Sequence, residues 1–183
     1  MSKIKLLYYG MSEVASGNGM AILQLSDESY SRMISLVCDN IMKCQIILRF
    51  KADKLPNKLL PEVLLNIIGD NVEIDRFLID VTGITDGEYI AMINDTLTNN
   101  VYPIRFSDAV LLSIICNMSI FMDEKLFEQQ SIPFTSNSSS LAIPINVLDS
   151  ERLKQELQKA VALENYELAS QIQNELNRRK ENC

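Results

Sequence analysis

An arginine, a serine and an aspartate fall close together at Arg105, Ser107 and Asp108, with only Phe106 between them. These are side-chain types suited to phosphate chemistry. A guanidinium can grip a phosphate through two parallel N–H donors. A carboxylate can hold a divalent cation or take a proton from water. A quieter arrangement uses the same residues: Ser107 would cap a helix, worth roughly 1 kcal/mol. Asp108 would complement the positive end of that helix for ~0.3–1 kcal/mol, and Arg105 would simply pair with it. Both arrangements need the same corner and differ only in whether it faces a ligand.

The flanking residues define what carries the corner. Residues 101–104 read as a short strand, and 109–118 are apolar on nearly every side, so a helix there is buried all round. A second apolar run at 119–122 and an amphipathic stretch at 123–130 follow. Strand, buried helix, strand is how a chain lays a layer onto a sheet. The polar chemistry of this unit therefore sits where the first strand meets the helix.

Upstream, residues 3–9, 20–25 and 33–37 read as strands. Asp39 or Asn40 is placed to cap a helix through Ile41, Cys44, Ile47 and Leu48, although Ile46, Leu48 and Phe50 alternate as a strand would. Pro61, with Glu62 beside it, opens a helix over 59–68. Residues 72–81 and 88–93 alternate as two strands joined through Asp86-Gly87, a hairpin turn signal. Between 43 and 58 stand Lys43, Arg49, Lys51, Lys54 and Lys58 against the single acid Asp53. That patch is either a solvated helix face with its loop or a phosphate-binding surface.

Composition narrows the chemistry. Histidine is absent from all 183 residues, which removes imidazole acid–base catalysis and His-ligated zinc. The formal net charge is −7, and residues 1–149 hold all of it, with 11 Lys+Arg against 18 Asp+Glu. Nucleic-acid binders usually show a basic footprint, although a carboxylate cluster holding a metal is itself acidic. Cys38, Cys44, Cys116 and Cys183 show no Cys-x-x-Cys spacing and read as reduced packing thiols. The apolar run at 6–9 is too short for a signal peptide, and the longest run, about 109–122, is too short to span a bilayer. The expectation is a soluble, cytoplasmic protein.

Beyond residue 134 the composition changes. Residues 135–140, Thr-Ser-Asn-Ser-Ser-Ser, are linker-like. Leu153, Leu157, Ala160 and Val161 then form one helical stripe, and Tyr166, Ala169, Ile172 and Leu176 another, with Asn165 as a cap between them. A hairpin this small is marginal alone, so its stripes should pack on a partner or on a copy of themselves. The expected division is an α+β domain over 1–134 with a compact mixed sheet and packed helices, a linker over 135–149, and an antiparallel helical hairpin over 150–183.

Residues 105–113, Arg-Phe-Ser-Asp-Ala-Val-Leu-Leu-Ser, with Ser119-Ile120-Phe121-Met122 and a short acidic helix after them, resemble the Arg-Pro-Ser-Asp-Ala-Ile-Ala-Leu-Ala signature of the bifunctional nuclease family. Phe106 stands where that signature has proline. The resemblance extends more weakly back to about Ile4. It implies a compact α+β domain that self-associates and an activity on RNA and DNA. Where members carry Thr-His-Asp at a helix start, this chain has Leu60-Pro61-Glu62, which leaves Glu62 to stand in for the acid. In the tail, Ala160-Val161, Glu164-Asn165-Tyr166-Glu167 and Ala169 resemble the UvrB/UvrC helical hairpin motif, with Gln173-Asn174 where that motif has Arg-Asp.

Two functions follow from the resemblance. As a nuclease, the chain would hold Mg²⁺ or Mn²⁺ on Asp108 and Glu62 to activate water. Arg105 would stabilise the developing phosphorane charge, Ser107 would position the corner, and Lys51, Lys54 and Lys58 would bind the nucleic acid. As a non-catalytic scaffold, the same fold would serve as a homo-oligomer whose 150–183 hairpin recruits another protein. The missing histidine, the missing Thr-His-Asp run and the acidic charge favour the scaffold.

Overall fold

The computed structural model describes residues 2–13, 20–51, 57–134, 145, 148 and 150–181. The chain divides into two units, Met1–Gly83 with Tyr89–Asn137, and Ile84–Glu88 with Ser138–Cys183. The fold is mixed α+β, as the strand and helix patterns predict.

Eight strands form one sheet: β1 (Lys3–Glu13), β2 (Ala21–Asp27), β3 (Arg32–Cys38), β4 (Phe77–Thr85), β5 (Glu88–Asp95), β6 (Val101–Arg105), β7 (Ile120–Asp123) and β8 (Ile132–Pro133). Their order is β6-β5-β4-β7-β1-β2-β3-β8. β7 pairs antiparallel with β1 and parallel with β4, which makes the sheet mixed. Asp86 and Gly87 both take positive φ, 48° and 83°, as a two-residue hairpin turn between twisted strands requires.

Among the described residues, α-helices α1 (Asn40–Lys51), α2 (Leu60–Gly69), α3 (Phe106–Cys116) and α4 (Glu124–Gln130) accompany the strands. The strand-like alternation at the end of α1 loses to a capped helix, because Asp39 Oδ1 accepts from Met42 N at 2.7 Å. α1 buries Met42, Ile46 and Arg49 along one helical stripe. α3 packs against α1 and contributes Ala109 and Val110 to the core. Ile79 faces Ile120 across the parallel pair, and both are buried with Met122, Leu23, Leu25 and Ile34. Each such side chain contributes about 1.5–3 kcal/mol.

Two local expectations are corrected. Residues 72–76 do not begin a strand. Asn71 N and Val72 N both donate to Ile68 O, Ile74–Arg76 form a 3₁₀ turn, and β4 starts at Phe77. Ser107 is not the cap of α3; Arg105 occupies that position, and Ser107 lies buried inside the first turn.

In the second unit, α5 (Ser150–Ala162) and α6 (Tyr166–Glu181) pack together as a hairpin. Leu153, Ala160, Ala169, Ile172 and Leu176 form its core with Leu148. Asn165 Oδ1 accepts from Leu168 N at 3.2 Å, in the manner of a helix cap. Val161 and Tyr166, expected in the apolar stripes, are exposed. Among the described residues no helix is long and apolar enough to cross a membrane.

Candidate functional site

β6 pairs with β5 through Ile90 and Arg105, then hands the chain directly to α3. Arg105 keeps an extended backbone (φ −66°, ψ 134°), so its side chain stands at the mouth of the helix. Phe106 is buried and meets the Tyr89 ring edge-on, with centroids 5.2 Å apart. That contact anchors the first helical residue to β5 without the proline of the family signature.

Arg105 Nε donates to Asp108 Oδ2 at 2.8 Å and Nη2 to Asp108 Oδ1 at 3.3 Å. Nη1 donates to Asp39 Oδ2 at 2.9 Å. A guanidinium has five N–H donors, so two remain on a side chain that is 58% exposed. Asp39 sits just before α1 and Asp108 in the first turn of α3. The positive ends of two helices therefore meet around this arginine.

The electrostatics favour the charged forms of Asp39 and Arg105. The hydrogen bond from Met42 N, aided by Arg105 and opposed by burial, keeps the Asp39 carboxyl below its ordinary range. The Asp108 hydrogen bond, with help from Asp39, raises Arg105 further against partial burial. Beside them Cys38 is pushed up to about 11, first by burial and then by Asp39. Its thiol stays protonated at neutral pH and is no nucleophile.

The other expected site residues lie elsewhere. Glu62 is buried at the start of α2, where Oε2 accepts from Arg49 Nη2 at 2.9 Å. It lines a cavity together with Ile115 and Cys116, at the far end of α3. The seven residues from Asp108 to Ile115 advance a helix by about 10 Å. Asp108 and Glu62 are thus engaged by different arginines and lie toward opposite ends of α3. A divalent metal held by Asp108 and Glu62 does not fit these positions. At the corner itself, the positive charge between Asp39 and Asp108 is already the guanidinium. Among the described residues no group of three or more His, Cys, Asp or Glu could hold a metal.

The basic patch is also divided. Arg49 is turned inward onto Glu62, Lys51 and Lys58 are exposed, and Lys54 lies outside the described residues. Asp39 is the partner that sequence reasoning missed. It reads as a helix cap in sequence, and nothing local links it to an arginine 66 positions away.

A family comparison covers the corner. The model of the bifunctional nuclease domain matches residues 22–135. The chain belongs to the bifunctional nuclease domain family. The matched span takes in Asp39, Glu62, Arg105 and Asp108, and it ends before the helical hairpin begins. No curated protein matches the chain.

Within this nuclease-family domain the corner offers one defined capability. An exposed guanidinium, locked in orientation by two carboxylates, can accept an anion on its free edge. Its freedom has been removed in advance, which lowers the entropy lost on binding.

Proposed function

We propose that the chain is a nuclease that binds a backbone phosphate of RNA or DNA at Arg105 and hydrolyses the phosphodiester. The observation that carries this reading is the pair of unused Arg105 donors at the meeting of two helix starts. Arg105 holds the phosphate and stabilises charge as water attacks phosphorus. Asp108, the exposed carboxylate beside it, takes the proton of that water as the P–O bond to the leaving sugar oxygen breaks, and that oxygen takes a proton from solvent. Ser107, packed inside the first turn, positions the corner without touching substrate. Lys51 and Lys58 on the surface extend the path of the strand. No step is assigned to Mg²⁺ or Mn²⁺, because Asp108 and Glu62 do not converge.

The test incubates purified protein with RNA and single-stranded DNA, with Mg²⁺, with Mn²⁺ and with EDTA. Arg105→Ala should lower cleavage by about 10²–10³-fold. Asp108→Asn should lower it by about 10²–10⁴-fold. Undiminished cleavage in Asp108→Asn removes that residue's role, and none in the wild type under any condition removes the nuclease.

A second reading rests on a different observation. α2 carries Leu60, Val63, Leu64, Ile67 and Ile68 on its surface and fully buries only Glu62. This is the pattern of an unused contact face. In that reading the domain is a self-associating, non-catalytic scaffold, and the α5–α6 hairpin, similar to the UvrB/UvrC motif, recruits another protein. Light scattering and pull-downs with and without residues 150–183 distinguish it. If deletion alters neither assembly nor partner, the scaffold loses its support.

A further inference from the structure

Phe50 stands near the end of α1 and is 60% exposed. Its ring stacks on that of Tyr8, with centroids 5.3 Å apart and planes within 19° of parallel. Tyr8 belongs to β1, an inner strand of the sheet, and pairs with Leu25 of β2. The lower ring is thereby fixed to the sheet, and it holds Phe50 in one orientation. A near-parallel, offset pair of rings can take a further flat group on its open side.

The place of Phe50 on α1 supplies the second observation. Successive residues of a helix turn by about 100°, so Asp39, Lys43, Ile47 and Phe50 fall on one ridge. That ridge begins at Asp39, where the Arg105 guanidinium is held, and ends at the Tyr8–Phe50 stack. The eleven positions from Asp39 to Phe50 advance a helix by about 16 Å. Lys51, exposed, follows Phe50 directly. The exposed Ile41, Cys44 and Leu48 lie on the opposite flank of α1, so Phe50 is not part of that apolar stripe.

We propose that Phe50 is a platform on which a base of single-stranded nucleic acid stacks. A phosphate of the same strand lies on Arg105, and the stacked base lies a few nucleotides along from it. The platform depends on the nuclease reading for that phosphate. A base inside a duplex keeps its faces against its neighbours, so only an unpaired stretch can offer one to the ring. Every base has a π-face, so the platform accepts RNA and DNA and reads no sequence. Stacking also suits a chain of net charge −7, because it does not depend on the sign of the surrounding surface as phosphate pairing does.

The chain has no tryptophan, so Phe50→Trp places a single fluorescent indole at the platform. The probes are oligo-dT, an abasic chain of the same length, and a duplex of oligo-dT with oligo-dA. Oligo-dT should quench the indole saturably, and the abasic chain and the duplex should leave it nearly unchanged. By anisotropy of labelled oligo-dT, Phe50→Leu should weaken binding roughly 5–150-fold, whereas Phe50→Trp should retain it. Both changes are at an exposed position, and circular dichroism confirms that each variant keeps the fold. Absence of quenching, equal quenching by the abasic chain or the duplex, or full affinity in Phe50→Leu overturns the platform. So does an indole signal that changes with protein concentration alone, which would mark Phe50 as covered by a second copy. If Arg105→Ala abolishes cleavage while Phe50→Leu changes nothing, the platform fails and the nuclease stands. Base-dependent quenching with no cleavage by the wild type supports the platform and removes the nuclease.

Discussion

Asp39 and Asp108 accept hydrogen bonds from the same guanidinium, Asp39 at Nη1 and Asp108 at Nε and Nη2. Asp39 does a second job at once, since its other oxygen caps α1. The two roles can be separated. Asp39→Asn keeps a capping oxygen and loses only an exposed ion pair, so it should cost less than about 0.5–1 kcal/mol. Asp39→Ala loses the cap as well and should cost ~1 kcal/mol more. Urea denaturation of both variants decides, and equal losses would mean that the cap contributes nothing.

Acid should weaken the fold through a turn far from that corner. Burial raises the Asp27 carboxyl, but donors from Ser29, Ser31 and the backbone of Arg32 outweigh it and hold it at about 2. A lowered carboxyl contributes stability that is fully present above its unfolded value, near ~3.9, and lost as pH falls through the folded one. Stability should therefore decline between about pH 4 and pH 2. Asp27→Asn should flatten that decline. Denaturation midpoints measured at several pH values across this window check it.

The Arg49–Glu62 pair predicts an asymmetry. The Arg49 side chain is 0% exposed, and its Nε makes no hydrogen bond. Glu62→Ala leaves that charge buried and unpaired and should cost about 3–5 kcal/mol. The double change Arg49→Met with Glu62→Leu should recover most of the loss. Thermal melts of the single and double variants measure it. A Glu62→Ala cost under about 1 kcal/mol would show that water reaches the pair.

At the end of α3, Asn117 adopts a left-handed conformation with φ 58°. Asparagine and glycine tolerate that region, whereas a β-branched residue does not. Asn117→Gly should be close to neutral, and Asn117→Val should cost about 1–2 kcal/mol. Equal stability of the two variants would mean the backbone relaxes at this position.

The elements were legible where one physical signal dominated. α3 announced itself through its continuous apolar run, and the Asp86-Gly87 turn through residues that accept positive φ. The 3₁₀ turn at Ile74–Arg76 was not legible, because Ile74 and Phe77 sit in an alternation that a strand would also produce. The corner was half legible. Arg105 and Asp108 are near neighbours in sequence, but the contribution of Asp39 depends on α1 packing against α3. The pairing of Glu62 with Arg49 was not legible for the same reason, since the two stand 13 positions apart and only packing brings them together.

β7 has four residues, yet it lies between β1 and β4 and joins the two halves of the sheet. During synthesis the β1–β3 meander and the β4–β6 meander must each wait for it with a bare backbone ladder on the inner edge. Nascent chains stalled before residue 120 should consequently be captured by chaperones or stick to one another, while chains released just beyond β7 should not.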